Sequence, residues 1–251
     1  MVRRSRVRSE PKGRRPKIIA REFCAADQTR PLLGNLLSPA EQAELARIAT
    51  VLTYQSGGAP IFSQGEDAHF LYLIDEGVIR IGRHLPDGAR QVLGFMWPGD
   101  LLGLVEEGRY INSADSLTPV TLFRFPLERL RSLLLSEPLL QLHMLAKAVH
   151  ELRNAQRQII VLGQLNTAKR LASFLLDCRQ HVAFFGSATE QLRLPMSRFD
   201  IADYLGTSPE SVARAFAKLE RDGFLRRASP RSVQFLNADG LARFVRGMSH
   251  S

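Results

Sequence analysis

The period of the hydrophobic pattern changes at Pro126, and that change constrains the fold more than any other feature. Across 51–125 the apolar residues come in short runs broken by turns. Examples are Phe70-Leu71-Tyr72-Leu73-Ile74, Val78-Ile79-Arg80-Ile81, Gln91-Val92-Leu93-Gly94-Phe95-Met96 and Thr121-Leu122-Phe123-Arg124-Phe125. Gly57-Gly58, Asp75-Glu76-Gly77, Pro86-Asp87-Gly88 and Pro98-Gly99-Asp100 separate them. Short, evenly spaced strands with such turns predict an antiparallel sandwich or barrel. From Pro126 to about Gln180 the pattern is helical.

Within the helical stretch, Leu142, Leu145, Val149, Leu152, Gln156, Ile159 and Gly163 step by three and four. This is a heptad seam with one polar residue, Gln156, able to set register. Arg153, Asn154, Arg157 and Gln158 lie on the other faces. The seam is read as a homodimer interface; the alternative is a helix packed on its own strand-rich domain. A second helix is expected over 167–178, after a break at 163–166 that is the candidate hinge. A short helix is also expected over 39–49, with Ser38 as N-cap and Glu41 at the third position.

The C-terminal third carries the strongest local signals. Residues 198–205 predict a short helix, and Gly206 a turn. Ser208 then caps a second helix with Pro209 at its first position, ended by Gly223. Two short helices joined by a tight glycine turn form a helix-turn-helix. Two short strands, 224–227 and 232–236, follow with Ser229-Pro230-Arg231 at their tip, so the hairpin reads as a wing. On the second helix, Val212, Phe216 and Leu219 face inward, while Glu210, Ala213, Arg214 and Lys218 share another face. An arginine there can pair with guanine O6 and N7, a glutamate can accept from cytosine N4, and a small apolar residue can touch a thymine methyl. The alternative for Glu210 and Arg214 is a surface i,i+4 ion pair.

Charge supports a polyanionic partner at the ends of the chain. Residues 1–21 carry a net +8, residues 22–165 a net −4 and residues 166–251 a net +5. The expected organisation is a disordered basic arm (1–21), a strand-rich domain (22–136), a dimerisation helix (137–165) and a winged helix-turn-helix (166–251). The chain has two cysteines, Cys24 and Cys178, neither in a CxxC pair. That is too few thiols for a cysteine-ligated zinc or iron–sulfur site. Cys178 is the candidate redox thiol, with a small buried residue as the alternative. No apolar stretch is long enough to span a bilayer and no signal peptide is evident, so a cytoplasmic protein without a membrane partner is expected. There is no P-loop, HExxH or GxSxG, and an enzyme is not expected.

The residues 194–225, LPMSRFDIADYLGTSPESVARAFAKLERDGFL, resemble the Crp/Fnr superfamily of bacterial transcription regulators, in its FixK and Fnr-type branch. Gly65-Glu66, Leu71-Tyr72, Gly77 and Pro98-Gly99-Asp100 extend the resemblance to the strand-rich part, so that it covers about 36–244. The resemblance implies an α+β fold: an N-terminal cyclic-nucleotide-binding-type β-roll, a long dimerisation helix and a C-terminal winged helix-turn-helix. It implies a homodimeric activator that binds double-stranded DNA at a TTGA-N6-TCAA-like palindrome and engages RNA polymerase. Control of low-oxygen or nitrogen-oxide metabolism goes with that branch. Glu210, Ala213 and Arg214 are then the base-reading residues, and Ser197, Ser208, Ser211, Lys218, Arg226, Arg227 and Arg231 the backbone contacts. Two departures bear on specificity. Ala213 stands where the Fnr branch has Ser, and Pro209 where the cAMP-receptor branch has Arg.

The family's nucleotide anchors are missing. Its Gly-Glu pair reads Gly103-Leu104 here, and its Arg-Ser/Thr-Ala run reads Asn112-Ser113-Ala114. Without the arginine a phosphate loses a charge-assisted bidentate contact, so tight cAMP binding is not expected. An iron–sulfur cluster of the Fnr kind is not expected either, because only Cys24 lies in the relevant region. Haem held by His69, His84 or His143 is disfavoured. A haem- or small-ligand-responsive regulator and a regulatory module of an enzyme stand as the alternative functions.

Overall fold

The computed structural model describes residues 8–9, 38–103, 105–181 and 191–247. Cys24, Leu104 and most of the basic arm lie outside the described residues. The chain forms two compact units, 1–150 and 151–251.

The first unit is built on two antiparallel sheets. One has the order β1 (Arg8–Ser9), β2 (Thr50–Tyr54), β11 (Val120–Pro126), β4 (Phe70–Glu76), β7 (Leu101–Leu102). The other runs β3 (Pro60–Phe62), β10 (Ser113–Ser116), β5 (Ile79–His84), β6 (Arg90–Met96). A small hairpin joins β8 (Val105–Glu106) to β9 (Arg109–Tyr110). Leu52, Tyr54, Ile74 and Leu122 of the first sheet pack with Phe62, Ile79 and Ala114 of the second in one buried cluster. Strand β11 is buried on both faces, because Phe123 and Phe125 point into a second cluster. That cluster is closed by α1 (Pro39–Ile48), α2 (Leu127–Ser136) and the start of α3 (Pro138–Gln164), through Leu45, Leu130, Leu133 and Leu140. A glycine is required at Gly77: φ is +93°, and a Cβ would lie 2.3 Å from the Pro119 carbonyl oxygen.

Helix α1 begins as its sequence requires. Ser38 Oγ accepts from the Glu41 amide and Glu41 Oε2 accepts from the Ser38 amide, closing a capping box. The other carboxylate oxygen of Glu41 lies 2.9 Å from Nδ1 of His143, on α3. One turn further along α3, Lys147 is only 5 % exposed and its Nζ donates to Asp100 at 2.8 Å. Asp100 also accepts from the Trp97 amide, so the Pro98-Gly99 turn and α3 share one carboxylate. A buried ammonium is tolerable only with such a partner.

The second unit contains the last part of α3, then α4 (Thr167–Gln180), β12 (Gln191–Arg193), α5 (Arg198–Leu205), α6 (Pro209–Arg221), β13 (Leu225–Ser229), β14 (Ser232–Phe235) and α7 (Ala238–Arg246). Asn166 caps α4 by accepting from the Lys169 amide. Leu171, Phe174, Leu175 and Cys178 form the buried face of α4. The three strands form one sheet in the order β12-β14-β13. Strand β12 and helix α7 have no counterpart in the sequence expectations. The signals for α7 were the Asn237 cap and the left-handed Gly247 at its end.

Candidate nucleic-acid interface

Helices α5 and α6 are set by their caps and by the turn between them. Ser197 and Asp200 form a capping box at the start of α5. Gly206 ends it in the left-handed region, with φ 61° and ψ 47°. Arg170 of α4 holds this corner, donating to the carbonyls of Leu165 at 2.8 Å and Leu205 at 3.0 Å. Ser208 starts α6 by accepting from the Ser211 amide.

Helix α6 is divided cleanly into two faces. Val212, Ala215, Phe216 and Leu219 are buried. Glu210, Ala213, Arg214, Ala217 and Lys218 are exposed. The three residues expected to read bases therefore share the solvent face, away from the core. Arg214 Nη2 donates to Ser211 Oγ at 2.8 Å, and Ser211 Oγ lies 3.2 Å from Ser208 Oγ. The two serines thus orient the arginine from the N-terminal turn. The Glu210 carboxyl is held below the usual carboxylate range by its place among the free amides of the helix start, by Ser208 and by the charge of Arg214. It is an acceptor at neutral pH, which is the state that recognises an amino group.

The wing is fastened to α6 through Glu220. Its Oε1 accepts from the Arg227 amide and its Oε2 from Arg227 Nε, both at 2.7 Å. Arg198, at the start of α5, lies with its guanidinium 3.7 Å from the centre of the Phe216 ring, and Arg227 approaches the same ring at 5.9 Å. Burial and the neighbouring Arg227 lower the Arg198 pKa, and Glu220 opposes them. Arg198 Nη1 is buried without a hydrogen-bond partner among the described residues. Sequence reasoning missed this arginine, because it sits at a first-turn position that reads as ordinary helix surface.

The remaining expected backbone contacts are not equivalent. Arg226 and Arg231 are exposed on the wing. Arg227 is engaged by Glu220, and Lys218 Nζ pairs with Asp222 at 2.9 Å. Ser197 is occupied in its capping box, where its Oγ donates to Asp200. Cys178 is buried, and burial first, then the charge of Asp177, pushes its thiol well up, away from the reactive thiolate. Along α3, the seam residues Leu142, Leu145, Val149, Leu152 and Ile159 are between 42 and 70 % exposed, and Gln156 lies exposed among them.

In the first unit, the space between the sheets is filled with rings. Phe62 stacks on Tyr110 at 4.2 Å and on Tyr72 at 5.6 Å. A Cβ at Gly103 would lie 2.9 Å from the Phe70 carbonyl oxygen. Ser113 Oγ accepts from the Gln64 amide, and Arg80 pairs with Asp115 at 2.8 Å. Among the described residues no three His, Cys, Asp or Glu side chains converge as a metal site. Among them, too, no helix is long and apolar enough to cross a membrane.

Comparison with known proteins agrees with this geometry. Residues 53–137 match the cyclic nucleotide-binding domain and residues 169–244 the Crp-like helix-turn-helix domain. The transcriptional activatory protein AadR of Rhodopseudomonas palustris is 39 % identical over 74 % of this chain and 77 % of its own length. The nitrogen fixation regulation protein FixK of Bradyrhizobium diazoefficiens is 37 % identical over 74 % of this chain and 78 % of its own. The solved structure of FixK2 from Bradyrhizobium japonicum superposes with a TM-score of 0.71 at 28 % identity, covering 81 % of this chain and 98 % of that one. With the divided face of α6, the turn at Gly206 and the wing in place, the chain belongs to the Crp/Fnr family of helix-turn-helix transcription regulators, in its FixK-like branch.

Proposed function

We propose that this regulator binds a TTGA-N6-TCAA-like palindrome as a homodimer and activates transcription there. The observation that carries the reading is the face of α6 bearing Glu210, Ala213 and Arg214, exposed and opposite a fully buried face. Arg214 reads guanine, Glu210 accepts from the paired cytosine, and Ala213 meets a thymine methyl. Two copies place α6 in successive major grooves about one helical turn apart. Arg226 and Arg231 hold phosphates from the wing, and Ser208 and Ser211 from the start of α6, while Ser197, Lys218 and Arg227 reach a phosphate only by sharing or giving up their contacts with Asp200, Asp222 and Glu220. The exposed seam of α3 supplies the dimer contact, since an apolar stripe of this length is not left in water.

The residues of the strand-rich domain do not fit a cyclic nucleotide. The anionic phosphate would need a cationic anchor, and Arg80 already faces Asp115. Aromatic side chains occupy the interior. We therefore propose a regulator that works without cAMP, an iron–sulfur cluster or haem, and without catalysis of its own. RNA polymerase is its protein partner, the cytoplasm its compartment, and low-oxygen or nitrogen-oxide metabolism its field of control. That last assignment rests on the resemblance to the FixK and Fnr-type branch; the FixK relative itself is a nitrogen fixation regulation protein.

An electrophoretic mobility shift tests the reading. The palindrome should be bound at least about 10³-fold more tightly than a scrambled duplex at physiological salt. Equal affinity for the two would overturn it.

A further inference from the structure

Within the second unit, the last turns of α3 are joined to α5 by a reciprocal pair of hydrogen bonds. Tyr204 Oη donates to Gln158 Oε1 at 3.0 Å. Gln158 Nε2 donates back to the Tyr204 carbonyl at 3.3 Å. One amide side chain thus grips both ends of one tyrosine. The Tyr204 ring is buttressed from α4 by Phe174, with ring centres 5.5 Å apart. The adjacent residue on α3, Arg157, faces Asp177 of α4 at 3.8 Å.

The most exposed apolar residues of this stretch, Leu152, Ile159 and Ile160, are left for another surface. Val161 is buried, and Leu162 Cδ2 lies 3.9 Å from where a Cβ on Gly206 would stand, so some apolar packing accompanies the polar contact with α5. Apolar packing tolerates sliding and rotation, whereas hydrogen bonds weaken steeply with misalignment. Two bonds to two atoms of one residue define both the rotation of α3 and its height against α5. Tyr204 is followed by the buried Leu205 and by Gly206, which leads directly into α6. The setting of Gln158 is therefore passed to the recognition helix through a short, stiff path.

We propose that Gln158 and Tyr204 are positioning residues that set the half-site spacing this regulator accepts. The inference rests on the dimeric DNA-binding reading above. If two α3 helices pair along their seam, each recognition helix is placed by how its own unit is fixed to α3. Changing the spacer by one base pair moves a half-site by about 3.4 Å along the axis and roughly 34° around it. A clamp defined at two atoms resolves such a step; a loose apolar contact does not.

The test uses the full chain and the variants Tyr204→Phe, Gln158→Leu and their combination. Fluorescence anisotropy measures binding to the N6 palindrome and to palindromes with spacers one and two base pairs shorter and longer. A duplex carrying one TTGA half-site is measured in parallel. Each single variant should lose about tenfold on the N6 site and flatten the spacer profile. Half-site binding should stay within about twofold of the parent, because the base-reading face is untouched. The combined variant should be no worse than the weaker single one, as expected when both changes break one link. Variants that keep the parent's N6 preference overturn the inference, as does a loss on the half-site equal to that on the palindrome. If Gln158→Leu reduces the helical circular dichroism, Tyr204→Phe alone decides. A parent chain with no spacer preference instead refutes the dimeric reading, and this inference falls with it.

Discussion

The Glu220–Arg227 clamp should be worth measuring by its removal, because its geometry sets both a magnitude and a pH signature. Glu220→Ala deletes the acceptor for the Arg227 amide and for its guanidinium, both held at 2.7 Å. It also removes the carboxylate that offsets the partly buried Arg198. Hydrogen bonds to charged groups contribute about 1.5–3 kcal/mol when protected. The two side chains are 26 and 37 % exposed, so solvent screening reduces this to about 1–2 kcal/mol. For a domain of this size each kcal/mol corresponds to about 4–8 °C in Tm.

The single tryptophan, Trp97, lies in the other unit, so scanning calorimetry is the suitable assay. The clamp lowers the Glu220 pKa, chiefly through the hydrogen bond from Arg227, against a smaller opposing effect of burial. A carboxyl with a depressed folded pKa stabilises fully above its unfolded value, about 4.3, and loses that contribution as pH falls through the folded value. The difference between parent and variant should therefore be full at neutral pH and shrink below about pH 4. A difference under about 0.5 kcal/mol at neutral pH, or one that does not change on acidification, would refute the reasoning.

Phe216→Ala should cost about 3–5 kcal/mol by calorimetry, since the ring is fully buried and also carries the Arg198 contact. Glu41→Gln should destabilise the first unit at neutral pH and much less in acid, followed by Trp97 fluorescence. Burial alone would raise the Glu41 pKa, but hydrogen bonds from Ser38 and the contact with His143 outweigh it and hold it low. Its contribution is thus present above the ordinary carboxyl range and lost as pH falls through the folded value. The double change Leu152→Gln with Ile159→Gln should convert the dimer to monomer in sedimentation equilibrium, because it puts polar groups in the middle of the seam.

The parts legible in the sequence were those written in local chemistry. Gly206, Ser208 and Gly223 mark the end of α5 and both ends of α6, and the observed helices begin and end within one residue of the expected positions; the Ser197 capping box that starts α5 was not read from the sequence. The capping box at Ser38 and Glu41 was equally readable. The wing hairpin was legible from its apolar runs, but its third strand was not. Strand β12 is three residues long and gains its partner, β14, some forty residues later. What the sequence concealed were polar contacts between distant positions. Gln158 with Tyr204, Lys147 with Asp100 and Glu220 with Arg227 follow no helical or strand spacing; only the fold brings them together. Arg227 illustrates the cost: it reads as a free cation in sequence and holds a carboxylate in the structure.

The central claim is that Arg214 on the open face of α6 recognises a base. It is tested most directly by competition binding of the Arg214→Ala dimer to the palindrome and to scrambled DNA across a salt series. The account requires preference for the palindrome to vanish while salt-dependent attraction to any duplex persists, because phosphate contacts remain. Undiminished discrimination by that variant would contradict it.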